Sequence, residues 1–233
     1  MIKELLIDGI DAPVVIAKRK GTRSIRITLR NDGLVRVSVP YGVPEIVAKQ
    51  YVISKKDWIS KHIKPADILV HGQHIGKNHQ LIITRSDSTR INSKVTSTEI
   101  RVSLPMDASV SSPSIQKKLH NICEKALIKE SEILLVQRLE YLSKKFSINY
   151  RSVQIKKLKS RWGSCDNKNN IALNCYLIQL DWNLIDYVLC HELTHTIHHH
   201  HQASFWDYLG DIYPEYKWAK KELKNKPTSV FIS

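Results

Sequence analysis

No apolar run in this 233-residue chain approaches the roughly 20 residues that span a bilayer. That absence argues against a transmembrane protein. The four cysteines, Cys123, Cys165, Cys175 and Cys190, form no Cys-x-x-Cys pair, which argues against a zinc knuckle. In a reducing compartment they are expected as free thiols, with Cys190 in the core. No signature of a nucleic-acid-binding module is present. The amino terminus carries Glu4 and Asp8 where a signal peptide needs a clean apolar core. A cytoplasmic protein with no membrane partner is the expectation.

Acids are also scarce. Asp and Glu number 22 against 36 Lys and Arg, a net charge of +14. Residues 1–64 hold 13 bases and 6 acids, a balance of +7. Arg151 to Arg161 contains five bases and no acid. Such a surface attracts polyanions, so nucleic acid or the ribosome is a candidate partner. Many basic proteins nevertheless bind no specific polyanion.

Between Leu184 and His201 there is neither Gly nor Pro. Ile185, Val188, Leu189, Leu193 and Ile197 supply an apolar helical surface there, with Asn183 as a candidate N-cap. This helix carries His191-Glu192-Leu193-Thr194-His195. Histidines four apart lie on one helical face, one turn apart, and can share one tetrahedral zinc. Glu192 sits beside the metal rather than on it, where it can take a proton from a zinc-bound water. The pattern is the zincin signature.

A catalytic zinc needs a third protein ligand and one open position. His198 would lie about 10 Å along an unbroken helix from His191, too far for one ion. His201 reaches the metal if the helix ends near His198 to His200 and the chain turns back. The metzincin spacing makes that turn with a Gly. His198 holds that position here, and a positive φ is uncommon outside Gly, though His is better tolerated than most. The spacing favours His201. A lone His-x-x-x-His pair is more often solvated than metal-bound, but Glu192 and a third His at workable distance weigh towards metal.

Elsewhere, Val14 to Ala17 reads as a strand, and Ser24 to Arg30 and Leu34 to Val39 alternate about an Asn31-Asp32-Gly33 turn, predicting a β-hairpin. Glu45 to Ile63 reads as helical. Ile68 to Val70, Leu81 to Thr84 and Glu99 to Leu104 read as strands, with a polar connection between the last two. Ala108 to Ser114 is the clearest break. It sets the expected domains as a β-rich region, 1–112, and a catalytic region, 113–233. Ile115 to Phe146 predicts one long amphipathic helix or two in tandem. Val153 to Ile155, Arg161 to Cys165 and Ile171 to Asn174 read as strands, followed by the His-Glu helix, helices over 203–213 and 215–223, and a loose tail from Asn225.

Several stretches together resemble one family. They are Ser24-Ile25-Arg26, Val35 to Pro40, Arg161-Trp162-Gly163-Ser164-Cys165, Ile171 to Asn174, Ile185 to Val188 leading into His191-Glu192-x-x-His195, and His201-x-x-x-Phe205-Trp206. This set is similar to the YgjP-like zinc metallopeptidases, from about residue 20 to residue 222. The His spacing also resembles WLM peptidases, and the Arg-Trp-Gly-Ser-Cys stretch resembles SprT-like proteins. Both relatives are associated with proteolysis of DNA-bound proteins.

The resemblance implies an α+β fold, with a β-rich first half and a minimal zincin-like catalytic domain. It implies zinc held by His191, His195 and His201, with Glu192 as general base. A zinc metallopeptidase acting on a peptide or protein is the expected function. The alternatives are a nucleic-acid-associated protease of the SprT or WLM type, or a non-enzymatic zinc-binding protein. In zincins an edge strand beside the metal helix holds the peptide, and Ile171 to Asn174 is a candidate for that strand. Tyr187, Tyr213 and Tyr216 are candidates for oxyanion stabilisation, though packing is the commoner role for each.

Overall fold

The computed structural model describes residues 2–5, 7, 10, 14–29, 35–62 and 68–228. The chain forms two compact units, Met1–Asp67 and Ile68–Ser233. The fold is α+β.

In the first unit, β1 (Ile2–Leu5), β2 (Val14–Arg19), β3 (Arg26–Leu29) and β4 (Val35–Pro40) form one sheet in the order β1-β2-β4-β3. The alternation along β4 buries Val35, Val37 and Val39 and turns Arg36 and Ser38 to the other face. The expected hairpin is β3–β4, with Ile27 opposite Val37; its turn at 31–33 lies outside the described residues. The helical pattern after Pro44 breaks in two, α1 (Glu45–Ser54) and α2 (Lys56–His62), because Lys55 takes φ −108° and ψ 12°. Ala48, Val52 and Ile59 from these helices join the strand valines in one core. Each such buried aliphatic side chain contributes about 1.5–3 kcal/mol relative to exposure.

The second unit begins with a sheet of the same design. Strands β5 (His74–Ile75), β6 (His79–Ser86), β7 (Asn92–Val95) and β8 (Glu99–Pro105) run in the order β5-β6-β8-β7. As in the first sheet, the inner pair is parallel and both outer pairs are antiparallel. The sequences repeat too. Val35-Arg-Val-Ser-Val-Pro40 corresponds to Ile100-Arg-Val-Ser-Leu-Pro105, and Val35 pairs with Val14 as Ile100 pairs with Leu81. Ile68 to Val70, read as a strand, forms none; the polar connection supplies β7 instead.

The second sheet lays Leu81, Ile100, Val102 and Leu104 into one core with Leu119, Cys123 and Leu127 of α3 (Pro113–Phe146). The boundary expected between residues 112 and 113 therefore lies inside the second unit. α3 is one continuous helix of 34 residues, about 50 Å long. Ser112 caps its start through Ile115 N–H, and Ser147 ends it with φ 56°. Glu130 of α3 is buried. It accepts bonds from the backbone N–H groups of Lys77 and Asn78, and its Oε2 lies 2.5 Å from His79 Nδ1.

A three-stranded sheet follows, with β9 (Ser152–Lys156), β10 (Gly163–Cys165) and β11 (Asn170–Asn174) in the order β10-β11-β9. A short 3-10 turn, Cys175–Gln179, leads to α4 (Trp182–His195), α5 (Ala203–Ile212) and α6 (Tyr216–Leu223). β11 is the central strand, paired on both sides. Ile171 to Asn174 therefore has no free edge for a peptide; the outer strand next to α4 is β10. Asn174, fully buried, ties the chain leading into β10. Its Nδ2 contacts the carbonyls of Leu158, Arg161 and Thr228 at 3.0, 3.0 and 2.8 Å. Thr228 also donates to Lys159 O, so the tail expected to be loose is held at least that far. Among the described residues no helix is long and apolar enough to cross a membrane.

Candidate active site

α4 carries His191, Glu192 and His195, and buries Ile185, Val188, Leu189 and Leu193 on its inner side. The bidentate pair of Arg138 with Asp186, at 2.7 and 2.6 Å, fixes α4 to α3. Asp181 occupies the N-cap, two residues before the expected Asn183. The helix ends at His195 rather than at His198 to His200. His198 N–H bonds back to Thr194 O at 2.9 Å, and His198 has no positive φ. Ending three residues early gives the chain room to reverse without glycine. His201 then comes back over α4.

His201 Nε2 lies 3.1 Å from His195 Nε2 and 3.2 Å from His191 Nε2. The three residues are the metal-capable group among the described residues, with ligand atoms all within 4.8 Å of one another. Ligands about 2.0–2.1 Å from one tetrahedral ion lie about 3.3 Å apart, and both separations of His201 match that spacing. His195 Nδ1 lies 3.1 Å from the His198 carbonyl. A carbonyl only accepts, so Nδ1 carries the proton and Nε2 keeps its lone pair for a metal. His198 contributes this backbone oxygen rather than its ring; the ring packs on Tyr208. Burial pushes His191 down to about 3, with His195 and His201 adding repulsion. Burial also lowers His195 and His201. Three imidazoles that burial keeps neutral and that face one another could hold a metal ion.

Phe205 of α5 is fully buried and floors the site. Its ring centre is 4.9, 4.6 and 4.8 Å from those of His191, His195 and His201. Trp206 donates its Nε1–H to His201 O at 3.1 Å, holding the returning chain. Lys220 sits 3.9 Å over the Trp206 ring.

Glu192 is 4% exposed. Burial lifts its carboxyl to about 8, opposed by Arg161. Its Oε2 and the Nδ1 of His191 are buried with no hydrogen-bond partner among the described residues. An unpartnered buried carboxylate oxygen is costly to a fold, which makes Glu192 a functional-site candidate. Gly163 of β10 explains where that carboxylate fits: a Cβ there would lie 2.5 Å from Glu192 Oε1. The sequence singles out the Arg-Trp-Gly-Ser-Cys stretch but not this role of Gly163, because the partner lies 29 positions away on another element.

The tyrosine candidates divide. Tyr213 gives its hydroxyl to Asn183 O at 2.8 Å. Tyr216 stacks on Trp206. Tyr187 packs between His191 and Tyr213, and burial raises it to about 12. Trp162 is buried in the same core as α4, and all four cysteines are free.

A buried glutamate lies next to three converging imidazoles that could hold a metal ion. The chain matches, over residues 23–226, the family described as YgjP-like, metallopeptidase domain, and it belongs to that family. It is a metallopeptidase by family, and the family implies a metal ion. Two solved structures are similar over part of the chain. The metallopeptidase zymogen abylysin of Pyrococcus abyssi is 23% identical, spans 42% of this chain and 100% of its own, and has a TM-score of 0.37. The metallopeptidase zymogen jannalysin of Methanocaldococcus jannaschii is 23% identical, spans 39% of this chain and 91% of its own, with a TM-score of 0.34. No curated protein matches the chain.

Proposed function

We propose that this metallopeptidase is a zinc enzyme that hydrolyses peptide bonds, with His191, His195 and His201 as ligands and Glu192 as general base. One observation carries the reading: three imidazole Nε2 atoms converge within ligand distance of one another, next to a buried and unpartnered carboxylate. Three neutral imidazoles suit zinc and leave a fourth position open. When bound, zinc supplies Lewis acidity to a carbonyl and to water.

The chain's own residues do the rest. Glu192 follows the first ligand on α4, accepts a proton and returns it to the leaving amine. Gly163 leaves the space its carboxylate needs. Phe205 holds the three rings in place from below and keeps water from that side. β10 offers the outer edge of its sheet to an extended peptide.

Glu192→Gln is the test. The variant is expected to keep one zinc per chain and to lose about 10²–10⁴-fold in peptide hydrolysis. Unchanged hydrolysis in that variant contradicts the reading.

A further inference from the structure

The face of the first sheet opposite its core is not neutral ground. β3 and β4 direct Arg26, Thr28, Arg36 and Ser38 to that side, and register places Arg26 opposite Ser38 and Thr28 opposite Arg36. Arg19 at the end of β2 and Arg23 in the following loop complete the rim. Together these six residues line an open cavity of about 600 Å³, with no acid among the described residues that line it. Gly21, at φ 80°, makes the turn that brings Arg23 back over it.

The repeat within the chain provides an internal control. By strand register, the second sheet has Ser86, Asn92 and Lys94 where the first has Arg19, Arg26 and Thr28. Ser38 keeps a serine, Ser103, but of Arg19, Arg26 and Arg36 only Arg36 has an arginine counterpart, Arg101, and Arg101 is paired with Glu99 at 2.5 Å. The adjoining cavity of the second sheet contains Asp87 and Asp107. The same scaffold therefore carries arginine at three of these register positions in one copy and at one in the other. Shared strand geometry does not account for the cluster.

We propose that this cavity binds the phosphate backbone of nucleic acid. Planar guanidinium groups make paired bonds to phosphate oxygens, and hydroxyls such as those of Thr28 and Ser38 add neutral donors. Among the described residues the cavity lining includes no aromatic side chain to serve as a platform for base stacking. It reads backbone charge, not sequence. The surrounding charge fits a polymer better than a single phosphate, since residues 1–64 carry 13 bases against 6 acids. The site is independent of the zinc reading.

The test is fluorescence anisotropy of a short labelled DNA duplex with the full chain, titrated with salt. Arg26→Ala/Arg36→Ala is expected to weaken binding at least about tenfold at 0.1 M salt and to reduce the salt slope by about two phosphate contacts. Arg26→Lys/Arg36→Lys, which keeps the charge, is expected to retain most of that slope. Arg101→Ala, at the equivalent position of the second sheet, is expected to bind as the unaltered chain does. Metal-stripped protein and Glu192→Gln are likewise expected to bind DNA fully. Three results overturn the proposal: no duplex binding at low salt, equal loss from Arg101→Ala, or binding only to vesicles containing phosphatidylserine.

Discussion

Gly163 and Glu192 occupy what would be the same space if residue 163 had a side chain, for a Cβ on Gly163 would lie 2.5 Å from Glu192 Oε1 and 2.7 Å from its Cγ. The close approach joins β10 to the metal helix at the proposed base. Gly163→Ala must push the carboxylate aside, because the strand backbone is pinned by its ladder to β11. We expect Gly163→Ala to bind metal like the unaltered chain and to lose about 10²-fold in turnover, the scale of loss for a misplaced catalytic group. Parallel metal analysis and peptide hydrolysis check it.

Glu192 also predicts how the metal-free protein responds to pH. Its folded carboxyl titrates near 8, raised by burial from an ordinary value of 4.5. Between those values the folded state holds a proton that the unfolded state has released. Stability from this group is thus complete below 4.5 and is lost as pH rises through 8. Glu192→Gln removes the titration. Metal-free Glu192→Gln is expected to melt close to the unaltered chain at pH 5 and clearly above it at pH 9, by calorimetry. A constant difference across that range contradicts the assignment.

The Glu130 cluster predicts a purely structural effect. Removing the carboxylate leaves His79 and two backbone N–H groups without their acceptor inside the protein. Glu130→Ala is expected to lower stability by about 3 kcal/mol, read by urea unfolding of the metal-free form. Metal stoichiometry of the folded fraction should not change.

Much of the fold was legible where one face is buried. The alternation in Val35 to Val39 and Glu99 to Leu104 marks β4 and β8 because their apolar sides meet cores. β7 escaped because all four of its residues are exposed, so nothing enforces a pattern. The helix break at Lys55 escaped because Val52 and Ile59 keep a helical spacing across it. The match of Val35 to Pro40 with Ile100 to Pro105 was visible in the letters, yet only the common strand register shows it as a repeat of architecture. At the site, spacing put His191, Glu192, His195 and His201 forward as candidates, and the structure brings the three histidines together. How the chain returns was not readable, since it depends on where α4 stops. Nor was Phe205 under all three rings, which is a matter of packing between helices.

The most direct measurement is bound zinc per chain, by mass spectrometry of the elements, for the unaltered protein and His201→Ala. The convergence of three Nε2 atoms predicts one zinc in the first and its loss or severe weakening in the second. A chain that holds no zinc, or holds it equally well without His201, contradicts the three-histidine site.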